Sequence, residues 1–131
     1  MKKQVESWIF LADNDLYAAE LLLKEEYPLT NIIAFHCQQM IEKYLKAFLI
    51  ENDVKLVRTH DLIKLNEMVN EVKYIGIDEK KLLIINEVYM ESRYPGDMGL
   101  LSNGIPSLES AKEFFEFAND IKTIIINILK N

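Results

Sequence analysis

The chain has 131 residues, half of them hydrophobic and 27% charged, with a formal net charge of -6. That length suits one domain spanning residues 1–131, with a core large enough to stand without staples. The acidic balance excludes a sequence-blind coat on nucleic acid, which needs a basic surface, and the single Cys37 excludes an internal disulfide and a cysteine-cluster metal site.

The chain opens on MKKQVESWIF, which leads straight into charged positions and lacks the pattern of a signal peptide. No later apolar run approaches the roughly 18 residues that a membrane span needs. A cytoplasmic protein without membrane contact is therefore expected. The first periodic segment, Lys3 to Glu26, sets Val5, Trp8, Leu11, Ala12, Leu16, Ala19, Leu22 and Leu23 on one helical stripe and ends at Tyr27-Pro28. Asp15 falls inside that stripe. An unpaired carboxylate there would cost several kcal/mol, so Asp15 is expected to find Arg93, Lys43 or His36.

The second segment runs from about Thr30 to Glu51. On a helical wheel its apolar residues cover an arc of about 160°, wide enough for two neighbouring helices. His36, Gln39, Lys43 and Lys46 gather at one margin of the arc, while Gln38 and Glu42 sit further round. Spacings of three, four and seven stack His36, Gln39 and Lys43 along one line. That line reads either as a polar fringe on a core helix or as the rim of a groove that receives an anion.

Thr59 is the expected N-cap of a third helix with Leu62, Leu65, Met68, Val69 and Val72 inward. The RTHD run, Arg58 to Asp61, could cradle a phosphate between helix-start amides, Arg58 and His60. Asp61 already offers that helix end a negative charge, so the capping role is the stronger of the two. Asp78 caps a fourth segment that buries Leu82, Ile85, Tyr89 and Val88 and stops at Pro95-Gly96. Arg93 shares the inward face, with Leu82, Ile85, Asn86 and Tyr89. A long connection, PGDMGLLSNGIP, leads to Pro106-Ser107 and a fifth helix that turns Ala111, Phe114, Phe115, Ala118, Ile121, Ile125 and Leu129 inward. Nothing alternates with period two over a useful length. The fold expected is all-α, an antiparallel up-and-down bundle of about five helices.

The sequence has no GxxxxGK loop, no HExxH and no GxSxG, and with two His and one Cys it gives no ground for a metal or another cofactor.

WIFLADNDLYAAELLL, AFHCQQMIEKYLKAFLI, THDLIKL, ESRYPGD and SLESAKEF follow one another in an order that resembles the HEPN family, the higher-eukaryote and prokaryote nucleotide-binding domain. The resemblance covers nearly the whole chain. It implies a helical bundle assembled as a homodimer that binds a nucleotide or RNA. It also implies a minimal nucleotidyltransferase as partner in a toxin–antitoxin-like module. Many members are metal-independent RNases whose motif is an Arg followed four to six residues later by His. Here Arg93 matches the Arg, but Asp97, Met98 and Gly99 occupy the His positions. His60 stands two residues after Arg58, on a different segment, and does not fit. Cleavage through the ribose 2'-hydroxyl needs a group that moves protons near neutral pH, which His supplies and Asp97 supplies only with a raised pKa. The resemblance thus implies binding rather than cleavage, with Arg93, Lys43 and His36 on phosphate, Gln39 beside them and Asp15 fixing Arg93. Arg58, His60 and Asp97 are secondary candidates. The alternatives are an RNase toxin with an altered site, and a dimeric assembly module without a ligand.

Overall fold

The structure, a computed structural model, describes residues 1–93 and 105–130, side chains included except at positions 90–93. Five helices follow in order: α1 (Lys3–Leu23), α2 (Thr30–Glu51), α3 (Leu62–Val72), α4 (Glu79–Arg93) and α5 (Leu108–Leu129). No strand occurs among the described residues. The fold is an all-α bundle.

The helix ends have local causes. α1 stops at Leu23, short of the expected Glu26, because the amides of Lys24 and Glu25 bond back to Leu21 and Leu22 and tighten the last turn. Pro28 then keeps Tyr27 out of helical geometry. α2 closes with a left-handed residue, Asp53 at φ 60°. The Asp53 amide bonds the Ile50 carbonyl at 3.1 Å and the Val54 amide bonds the Leu49 carbonyl at 2.9 Å, which satisfies two orphan carbonyls at once.

The cap of α3 differs from expectation. Asp61, not Thr59, accepts from the Ile63 amide, at 3.0 Å, while Thr59, two residues earlier, accepts from the Asp61 amide. Asn86 of α4 completes the cap, accepting from the Leu62 amide at 3.0 Å and donating to Asp61 Oδ1 at 3.1 Å. Asp78 caps α4 as the sequence suggests, and Ser107 caps α5.

α2 packs against each of the other four helices. Fifteen of its 22 residues are buried, and among them are Gln38, Glu42 and Lys46. The expected arc was therefore too narrow: burial extends round to Gln38, Glu42 and Lys46, while Ile32, Phe35, His36, Gln39 and Lys43 keep one margin of the helix open to water. Full burial of its larger apolar side chains, Ile33, Ile41, Leu45, Phe48 and Leu49, contributes about 1.5–3 kcal/mol each before entropy is counted.

Elsewhere the inward stripes were too wide. Leu11 is 47% exposed because α1 packs chiefly on α2, and Val72 is 41% exposed at the tip of α3. Phe117 is buried, though its position was not expected to point inward. Leu82, Ile85 and Tyr89 line the inner side of α4 as expected.

Candidate functional site

Two polar seams run along α2, one facing α1 and one facing the segment that enters α3. On the first seam Asp15 of α1 meets both Lys43 Nζ, at its Oδ2, and His36 Nδ1, at 2.9 Å from its Oδ1. His36 and Lys43 lie seven residues apart, two turns along the same face, so one carboxylate can reach both. The side chains keep some water access, 12% for Asp15, 26% for His36 and 20% for Lys43. Two of the three partners expected for Asp15 are thus its actual partners. The third, the Arg93 side chain, lies outside the described residues, as does Asp97.

Two residues before Asp15, Asp13 accepts from Tyr44 Oη at 2.6 Å and pairs with Lys122 of α5 at 3.0 Å. Burial first, then the bond to Asp13 and its charge, holds the Tyr44 phenol far above its ordinary pKa. Cys37 lies beneath this seam, fully buried. Burial, helped by the Asp15 charge, pushes its thiol up to about 12, so it stays protonated and is no nucleophile.

The second seam escaped the sequence. Glu42 is 3% exposed and holds Lys46 Nζ at 3.0 Å and His60 Nδ1 at 2.8 Å, on different oxygens. Lys46 also stands 5.6 Å over the Trp8 ring, so its ammonium is compensated on two sides. Gln38 Nε2 donates to the His60 backbone carbonyl at 3.0 Å, which docks the RTHD run by main chain and side chain together. Gln39 Nε2 donates to Gln38 Oε1 at 2.7 Å and links this seam to the line of His36 and Lys43. With Asp61 occupied as the α3 cap and His60 held by Gln38 and Glu42, the RTHD run docks the start of α3 onto α2. Arg58 is exposed and forms no ion pair among the described residues.

Rings join the two histidines. Phe35 meets His36 edge-on with centroids 5.3 Å apart, and lies 5.9 Å from Tyr89 of α4. Tyr89 in turn lies 6.3 Å from His60. The two imidazoles therefore share one construction. Each has Nδ1 on a carboxylate, which as an ionised acceptor fixes the proton on that nitrogen, and each has an Nε2 without a hydrogen-bond partner among the described residues.

Such a site offers imidazole nitrogens of fixed tautomer beside an aromatic wall. It offers no ready metal cage: among the described residues no group of three or more His, Cys, Asp or Glu could hold a metal ion. Nor is any described helix long and apolar enough to cross a membrane.

The model of one protein family, described as the HEPN domain, matches residues 5–129 of this chain. No curated protein and no solved structure matches it.

Proposed function

The chain belongs to the HEPN family, and from that premise we propose that it binds a nucleotide or an RNA end through the first seam of α2, as a homodimer. The observation that carries this reading is the gathering of His36 and Lys43 onto one carboxylate, Asp15, in a partly water-accessible cluster. The Asp15–Lys43 pair is close to neutral, so net attraction for phosphate falls to Arg93. Arg93 stands four residues after Tyr89, whose ring meets both Phe35 and His60. Guanidinium carries permanent charge and a forked set of donors, well matched to phosphate. Gln39 lines the same edge of α2.

Titration of the purified protein with ATP and with short RNA, beside Arg93→Ala and Lys43→Ala, tests the site. Both variants should bind more weakly than the parent. Equal weak binding by all three proteins removes it. The partner in this proposal is a minimal nucleotidyltransferase, in a toxin–antitoxin-like module. Light scattering on the mixture of the two should give a complex heavier than the HEPN dimer, and a sum of separate species would count against the module.

A second reading, RNA cleavage, is favoured by the two Nδ1-anchored imidazoles. Cleavage through the 2'-hydroxyl needs one group to take a proton and another to give one, and His36 and His60 each present an Nε2 for that work. Incubation with RNA in a chelator, beside His36→Ala and His60→Ala, decides it. Products formed by the parent and lost in both variants support cleavage, whereas no product above the variants leaves binding alone.

A further inference from the structure

On the side of the bundle where α4 and α5 face each other, the two helices lean on α2 and make little direct contact. The gap between them is a cleft of about 480 Å3. Its apolar surface comes from Ile84, which is 52% exposed, and from the edges of Phe114 and Phe117. Along the α5 rim stand Glu113, Glu116 and Asp120, all exposed, and Glu109 continues that row one turn back. Spacings of four, three and four put these carboxylates on one stripe. None of the four has an ion-pair or hydrogen-bond partner among the described residues. Lys81, on the α4 wall, is the one cation among the described residues that line the cleft.

We infer that this cleft is a docking groove for a basic amphipathic helix of another protein. Apolar side chains spaced along one helical face would fill the space over Ile84, Phe114 and Phe117, and flanking Lys or Arg would meet the acidic row. Opposite charge along a rim steers encounter and sets register, while the apolar contact holds the complex. A second copy of this chain does not fit the groove, because none of its five helices carries a net positive charge. The α4–α5 cleft is built from residues separate from the polar seams of α2, so this inference stands apart from the nucleotide-binding reading.

The test uses a fluorescent 18-residue helical peptide of Leu and Lys, with the leucines on one face, titrated into the full-length protein at physiological salt. A second peptide keeps every Lys and replaces each Leu by Ser. The Leu/Lys peptide should bind, and the Ser peptide should bind at least about tenfold more weakly. Ile84→Glu and the double variant Glu113→Lys/Glu116→Lys should each weaken the Leu/Lys peptide by about tenfold, the usual scale for central contacts. The charge-matched double variant Glu67→Lys/Glu71→Lys, on exposed positions of α3, should bind like the parent. All changes are at exposed positions, and circular dichroism confirms that each variant is folded. Equal binding of both peptides, or equal loss in the α3 control, would reduce the effect to net charge and overturn the groove. Self-association of the parent that is abolished by Ile84→Glu would also overturn it, by seating a second copy there.

Discussion

Glu42 and Glu113 are the same side chain in opposite surroundings. Glu42 is almost fully buried on α2, and each of its oxygens meets a cationic or imidazole partner. Glu113 is exposed on α5 in a row of carboxylates with no ion-pair or hydrogen-bond partner among the described residues. The difference follows from helix position. An acid on the central helix can survive only if neighbouring elements bring it donors, whereas an acid on an outer helix is stabilised by water and stays available. Carboxylates of the seams hold the bundle and its histidines in place, and those of the α5 row are free to recruit.

The largest break in that contrast should come from Glu42→Ala, which leaves Lys46 buried and unpaired. A loss of about 3–5 kcal/mol is expected from urea denaturation. Adding Lys46→Met to Glu42→Ala should recover much of the loss, and a double variant no more stable than Glu42→Ala would show the pair is not the source.

Next in size is an alkaline effect on the packed seam. Cys37 ionises at about 12 in the folded chain against 9.0 ordinarily, and Tyr44 is also raised. The unfolded chain loses these protons first, so it binds fewer protons than the native state and stability falls as pH rises from about 9 toward 12. At about 1.36 kcal/mol per pH unit, the thiol alone accounts for up to about 4 kcal/mol at the top of that window. Urea midpoints measured between pH 8 and pH 11, values chosen at roughly the edges of this linkage window, should fall less steeply for Cys37→Ala than for the parent. Parallel curves would remove the thiol from the account.

Asp15→Ala should cost about 2 kcal/mol, less than Glu42→Ala, because its cluster keeps some water access. Asp61→Ala should cost about 1 kcal/mol through the lost α3 cap. Thr59→Ala, the cap expected from sequence, should cost less. The smallest effects belong to the α5 row: Glu113→Ala and Glu116→Ala should stay within about 0.5 kcal/mol of the parent in thermal unfolding.

Much of this architecture was legible in the residues. Five periodic segments, broken by the few Gly and Pro positions, correspond to five helices, because amphipathic periodicity is a local property and helix breakers act locally. Asp15 was legible as well. A carboxylate inside an apolar stripe must have a partner, and two of the three candidates, His36 and Lys43, are its partners. Glu42 and Gln38 were not legible. On a wheel they fall away from the apolar arc, and only the presence of α1, α3, α4 and α5 around α2 extends burial round to them. His60 was read as a secondary anion contact, yet its ring answers to Glu42 and its carbonyl to Gln38. Those partners lie 18 and 22 residues earlier in the chain, beyond any local spacing rule. Asp61 displaced Thr59 as cap because Asn86 of α4 stands against that helix start.

The order of residues by itself determined which segments are helical, which family the chain resembles and that Asp15 needs a cation, since each depends on local pattern or on the cost of one unpaired charge. Only the tertiary structure decided which polar groups share a neighbour. Burial and ion pairing depend on what surrounds a side chain on every side, and for α2 that surround is assembled from four helices drawn from the length of the chain.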